Sequence, residues 1–150
     1  MSTIVRDTAT ESTSTRSGFL RFGPRRVVSA LWLFAILNYL YCDVLGSHDP
    51  EYMRALISDG GPEGVEMTPG FLLGAAVLMT IPMVSVLLSR IASHGLARWS
   101  SVVAGIVMTL VQVATLFVGT ATMYYLYFSV IEIATTATIV VVAWRWRAEA

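Results

Sequence analysis

The sequence predicts an all-α, polytopic membrane protein: an antiparallel bundle of four transmembrane helices with one short external interfacial helix. Two observations carry that expectation. Of 150 residues, 55% are hydrophobic and only 13% charged, against about 25% charged in a typical soluble domain. A chain this short cannot hide such an apolar excess in its own small core. Secondly, the apolar residues gather into four stretches of the length that crosses a hydrocarbon layer about 30 Å thick, at residues 27–46, 69–92, 100–119 and 122–144. Helices are required because backbone in lipid must satisfy its own hydrogen bonds. The ten-residue alternating segments of a membrane barrel are absent from the sequence.

Residues 1–24 read as a tail outside this domain. Nine of the first 18 residues are Ser or Thr, and Ile4 and Val5 are the large aliphatics among them. Too little apolar surface is present to offset the entropy of ordering, so disorder is expected. The segment has neither the apolar core nor the cleavage site of a signal peptide. The transmembrane domain is expected over residues 25–147, followed by a short tail at 148–150.

Local signals mark the ends of the spans. Thr68 can cap the second helix, and Pro69 suits its first turn, where a missing N–H is harmless. Arg90 falls in that helix's last turn, favourably for the helix dipole. Gly119-Thr120-Ala121-Thr122 is short enough to make the third and fourth spans antiparallel neighbours. In the long first connection, Asp49-Pro50 reads as an N-cap and first-turn proline. Tyr52, Met53, Leu56 and Ile57 then share one helical face, and Gly60-Gly61 ends the element. A short helix lying on the membrane surface is expected there.

Arginine placement predicts the orientation. All ten basic residues are arginine, and nine lie in the N-terminal segment, beside the second connection or at the C-terminus. An even number of crossings puts these regions on one side, which is expected to be cytoplasmic. The opposite side carries Arg54 among Asp49, Glu51, Asp59, Glu63 and Glu66. Trp144 and Trp146 at one end, and Tyr124 and Tyr125 at the other, suit the two interfaces.

Ionisable groups within a span are costly and therefore suggest function. Glu132 lies near the middle of the fourth span and Asp43 towards the outer end of the first. Counting about 1.5 Å per residue from each span's centre places Asn38, Thr80 and Glu132 within roughly 2 Å of the midplane and Gln112 at about 4 Å. Pro82 interrupts the second helix at that level and frees a carbonyl. Asn38, Thr80, Gln112 and Glu132 are therefore expected to face one another. The simpler meaning is interhelical hydrogen bonding that fixes register, worth about 0.6–2 kcal/mol per bond. The sharper meaning is a pocket that handles a proton or a ligand. Tyr39, Tyr41, Asp43, Tyr124 and Tyr127 form a candidate outer vestibule, for which the plainer alternative is an interfacial tyrosine belt.

Small residues mark two packing seams, Gly70 with Gly74 and Ser101-Gly105-Thr109, both expected within the bundle. Catalytic signatures are missing: no phosphate-cradling glycine loop and no nucleophile beside a histidine base. His48 and His94 fall on opposite sides of the membrane, and Cys42 is the single cysteine, so no metal site, intrachain disulfide or redox pair is expected. His48 with Asp49 and Glu51 is at most a weak cation ligand. No cofactor is expected. Zero formal net charge gives no argument for a nucleic-acid partner; the partners expected are the lipid bilayer and either a second copy or another membrane protein.

Several runs resemble a family of small bacterial membrane proteins, the domain-of-unknown-function family 6326. They are Ser29-Ala30-Leu31-Trp32 through Asn38-Tyr39-Leu40-Tyr41-Cys42-Asp43-Val44-Leu45, Thr68-Pro69-Gly70-Phe71-Leu72-Leu73-Gly74-Ala75-Ala76, Ile81-Pro82-Met83, Leu87-Leu88-Ser89-Arg90, and Tyr124-Tyr125-Leu126 leading to Ile131-Glu132-Ile133-Ala134. The resemblance covers residues 27–146 and implies a bacterial plasma-membrane protein, with no chemistry attached. Thr80 stands where the resemblance implies an acidic residue, so a midplane carboxylate pair is not essential here. The four-helix plan is also broadly similar to that of DoxX membrane proteins, a likeness of architecture only.

Three readings follow: a non-catalytic binding or scaffold component, a proton- or small-molecule-handling transporter-like protein built around Glu132, and a lipid- or quinone-linked membrane enzyme or redox helper. The first is favoured by the packing seams and the missing catalytic groups.

Overall fold

The structure, a computed structural model, describes residues 23–58, 66–117 and 122–147. Residues 1–22 of the tail expected over 1–24, the tail at 148–150, the Gly60-Gly61 stop and the Gly119-Thr120-Ala121 turn lie outside the described residues, and Pro24 already belongs to the first helix. Among the described residues five helices follow in order: α1 (Pro24–Gly46), α2 (Pro50–Ser58), α3 (Pro69–Ile91), α4 (His94–Thr115) and α5 (Met123–Arg145). All except α2 are long and apolar enough to cross a membrane, and the chain is a multi-pass membrane protein.

The helices start where sequence chemistry says they should. Asp49 accepts from the backbone N–H of Glu51 at 3.0 Å and of Tyr52 at 3.4 Å, which opens α2. Thr68 accepts from Phe71 N–H at 3.2 Å, with Pro69 following in the first turn of α3. Helix α3 runs on through Pro82, whose ring is buried. The main correction concerns α4, which begins at His94 rather than near residue 100 and ends at Thr115. His94, Gly95 and Arg98 depress hydropathy without breaking the helix, because only Ala92 and Ser93 separate α3 from α4.

The four long helices form an antiparallel ring in which α1 packs on α3 and α5, and α4 packs on α3 and α5. The closest seam joins α4 to α5. A Cβ on Gly105 would lie 2.7 Å from Val140 Cγ2 and 3.3 Å from the Thr136 carbonyl oxygen, so the backbones approach only because glycine stands there. Gly70 and Gly74 are different: both are exposed, and a Cβ on Gly74 would meet nothing within 4 Å. Only 11% of the apolar window of α3 is buried, against 33–39% for the other three long helices. Its loop-end half therefore presents lipid-facing surface.

The interior has two halves. The half towards the chain termini holds the large apolar side chains, with Val28, Trp32 and Ile139 fully buried and Met108 at 1% exposure. The half towards α2 holds Asn38, Gln112, Ser129 and Glu132, whereas the buried polar groups of the terminal half, Ser29, Ser85, Ser89, Ser101, Thr135 and Thr136, are all hydroxyls. Arginines close the terminal end. Arg25 donates to the carbonyl oxygens of Ala92 (2.8 Å) and Arg90 (3.5 Å), and Arg98 donates to that of Trp144 (2.9 Å). These are carbonyls at the C-terminal ends of α3 and α5, which lack intrahelical partners and carry the negative end of the dipole. Arg25 also stacks over Trp146, 5.5 Å from the ring centre, and His94 meets that ring edge-on at 5.1 Å.

Candidate functional site

Glu132 sits near the middle of α5 at 2% exposure, and its Oε1 has no hydrogen-bond partner among the described residues. Two interhelical bonds bracket it. One turn towards the termini, Thr109 donates to Thr136 at 2.8 Å, and Thr136 donates to the Glu132 carbonyl at 2.9 Å. Three residues towards the loop end, Gln112 Nε2 donates to Ser129 Oγ at 2.9 Å, and Ser129 donates to the Tyr125 carbonyl at 2.8 Å. Tyr125 Oη donates to Thr115 at 2.6 Å, and Thr115 donates to the Gln112 carbonyl at 2.9 Å. These bonds lock α4 against α5 in the register that turns Glu132 inward.

Across the seam stands α1. Tyr39 and Cys42 are buried, at 7% and 8% exposure, and both lie within electrostatic reach of the Glu132 carboxyl, as does Asp43 further out. Tyr39 Oη, like Glu132 Oε1, is buried without a hydrogen-bond partner among the described residues. Asn38 is buried beside it and spends Nδ2 on the Phe34 carbonyl at 3.0 Å. An unsatisfied buried polar group costs about 1–3 kcal/mol. Two of them at one helix seam therefore amount to a substantial unused hydrogen-bonding capacity.

Of the four side chains expected to converge, Asn38, Gln112 and Glu132 are in the bundle interior and Thr80 is not. Thr80 is exposed, donates to the Ala76 carbonyl of its own helix at 2.8 Å, and lines an open groove on α3 with Val77, Ile81 and Val84. The interior face of α3 bears Pro82, Ser85 and Ser89 instead. The early start of α4 also shifts Gln112 outward, to about 11 Å from the middle of its helix. Thr80's depth matched the cluster but its direction did not.

The candidate vestibule also divides. Tyr39 is in the core, whereas Tyr41 and Tyr127 are 61% and 64% exposed and face lipid. Asp43 is exposed about 12 Å from the middle of α1, and Tyr124 is half-buried. Tyr124 and Tyr52 pack over Gly46 at the end of α1, where a Cβ would stand at ordinary contact distance, 3.5 Å from Tyr124 Oη and 4.0 Å from Tyr52 Cε1. Burial pushes the Tyr52 phenol above its ordinary range, and Asp43, Tyr124 and Cys42 add to that shift. Asp43, Tyr52 and Tyr124 thus form the polar margin between Glu132 and α2.

Sequence reasoning missed the buried hydroxyls Ser29, Ser85, Ser89, Ser129, Thr135 and Thr136. Thr136 and Ser129 were findable, since they stand four residues after and three before Glu132 on the same helical face. Arg90 Nε donates to Ser29 at 2.8 Å, and Trp32 Nε1 to Ser101 at 3.4 Å. Among the described residues, no three His, Cys, Asp or Glu side chains are placed to hold a metal ion. His48 Nδ1 lies 2.7 Å from the Val44 carbonyl oxygen, which occupies that nitrogen.

A fold of four apolar helices around a buried carboxyl defines a class, the small multi-pass membrane proteins with a polar bundle core. Comparison of sequences gives the narrower placement. The model of the Family of unknown function (DUF6326) matches residues 21–150, and the chain belongs to that family. No curated protein and no solved structure matches it.

Proposed function

We propose that the protein is a non-catalytic binding component of the bacterial plasma membrane, with both termini cytoplasmic and α2 outside, whose core site around Glu132 and Tyr39 holds a small molecule. The observation that carries this reading is the pair of partnerless polar atoms, Glu132 Oε1 and Tyr39 Oη, on residues at 2% and 7% exposure. Groups that serve only to fix register satisfy one another, as Gln112 with Ser129 and Thr109 with Thr136 do.

A through-path is disfavoured by the same geometry. Trp32, Met108 and Ile139 fill the interior on the terminal side of Glu132, and the buried hydroxyls there, Ser85, Ser89, Thr135 and Thr136, are spent on carbonyls of their own helices. Lipid- or quinone-linked chemistry would draw on Tyr39, Tyr41, Tyr127 and Asp43 together. Their separation into core, lipid face and margin argues against a shared reaction centre.

The test is native mass spectrometry of the full chain extracted with its own lipid. The expected result is a retained small molecule in the wild-type protein that Glu132→Leu loses while remaining folded. A wild-type protein with no such molecule, or a Glu132→Leu protein that keeps it, contradicts the proposal.

A further inference from the structure

The charges of the chain are sorted along the bundle axis. Among the described residues, Arg25, Arg26, Arg90, Arg98, Arg145 and Arg147 stand at the terminal end. The loop-end half of the four long helices contains Asp43 and Glu132 and no basic side chain at all; Arg54 is exposed on α2. The sequence has no lysine. An ionised carboxylate far from water is costly unless a positive charge accompanies it. Among the described residues the protein supplies none at Glu132, so the carboxyl is neutralised either by a proton or by a cation that binds there.

The hydrogen-bonding inventory points the same way. Asn38 uses one Nδ2 hydrogen on Phe34 and Gln112 one Nε2 hydrogen on Ser129, so each amide still has its carbonyl oxygen and one N–H for a ligand. Glu132 Oε1 is another acceptor, and Tyr39 Oη can donate or accept. Tyr39 also brings an aromatic face, which attracts cations when desolvated. The fixed charges in this half of the bundle are all negative. Resting on the binding-site reading above, we propose that the Glu132–Tyr39 site selects a small monovalent organic cation of the ammonium type. Its N–H groups donate to the Glu132 carboxylate and to the amide oxygens, and its charge pairs with Glu132. Asp43, at the polar margin towards α2, draws such a cation to that end of the bundle first.

The experiment uses the full-length protein in detergent micelles, with n-butylammonium as probe and butyrate and 1-butanol as controls of similar size. Binding is read by saturation-transfer NMR and titration calorimetry. The expected result is saturable binding of n-butylammonium, with butyrate and 1-butanol giving only the signal of empty micelles. Glu132→Gln should weaken binding about 10- to 100-fold, and Tyr39→Phe about 3- to 10-fold. The second variant keeps the proposal open to test if the first does not fold. Binding of butyrate or 1-butanol as tightly as n-butylammonium overturns it, as does undiminished binding in both variants or no binding of the cation at all. If mass spectrometry meanwhile finds a neutral or anionic molecule held through Glu132, the cation class is wrong and the binding-site reading stands. If neither method finds a ligand, both fall.

Discussion

Thr109 and Thr136 meet hydroxyl to hydroxyl at 2.8 Å across the α4–α5 seam, one helical turn from Glu132. Thr136 passes the bond on to the Glu132 carbonyl at 2.9 Å, tying the carboxyl-bearing turn of α5 to its neighbour. Valine keeps the shape of threonine and removes the hydroxyl. Thr109→Val and Thr136→Val should each destabilise the bundle by about 0.6–2 kcal/mol. The double variant should fall short of the sum, because the two changes delete one shared bond. Reversible unfolding in mixed micelles measures the coupling, and strict additivity would count against the bond.

Gly105 sets how closely those helices pack. Gly105→Ala forces Val140 aside and presses on the Thr136 carbonyl, 3.3 Å from the new methyl group. The expected loss is about 1–3 kcal/mol, and Gly105→Leu should prevent folding. Gly74→Ala, where the methyl group meets nothing within 4 Å, is expected to be silent. The same unfolding assay separates these three variants.

At the other end, Arg98 satisfies the Trp144 carbonyl at 2.9 Å. Its removal in Arg98→Ala should cost about 1 kcal/mol, since a charged donor is lost to a helix end that water partly reaches. Trp32→Ala, in the terminal half of the core, is expected to cost about 3–5 kcal/mol. Trp32→Phe keeps most of the ring volume and gives up only a 3.4 Å bond to Ser101, so it should cost far less. Thermal melts in detergent rank the three.

The tyrosines offer a test of direction rather than stability. Tyr41→Phe and Tyr127→Phe change side chains that face lipid, at 61% and 64% exposure, and should leave any molecule retained by the core in place. Tyr39→Phe removes a buried hydroxyl at the site and should reduce retention. Native mass spectra of the three variants decide it; an effect at Tyr41 equal to that at Tyr39 would count against the division of the vestibule.

The spans were legible because lipid imposes length and apolarity on every residue of a crossing helix. Depth was legible for Thr80 and Glu132, since it needs only a count of residues between known ends, but not for Gln112, whose helix starts earlier than its hydropathy suggests. Direction around the helix was not read. At about 100° per residue, Thr80 lies roughly opposite Ser85 and Ser89, and Tyr41 roughly opposite Tyr39. These pairs cannot share a face, and the helical wheel would have said so. The start of α4 was missed for another reason. A hydropathy window penalises His94 and Arg98, whereas the helix keeps them by using Arg98 to satisfy a neighbouring helix end. The inward turn of Glu132 rests on interhelical bonds between residues 17 and 27 positions apart, and these became visible only with the fold.

Disulfide trapping tests the register of α4 on α5 most directly. With Cys42 replaced by alanine, the pair Thr109→Cys and Thr136→Cys should cross-link rapidly under mild oxidation in native membranes, because the side-chain oxygens they replace are 2.8 Å apart. The control pair, Thr109→Cys with Thr138→Cys, places the second cysteine on an exposed face of α5 and should not. Cross-linking of the control in preference to the 109–136 pair would turn Glu132 away from the interior and contradict the account.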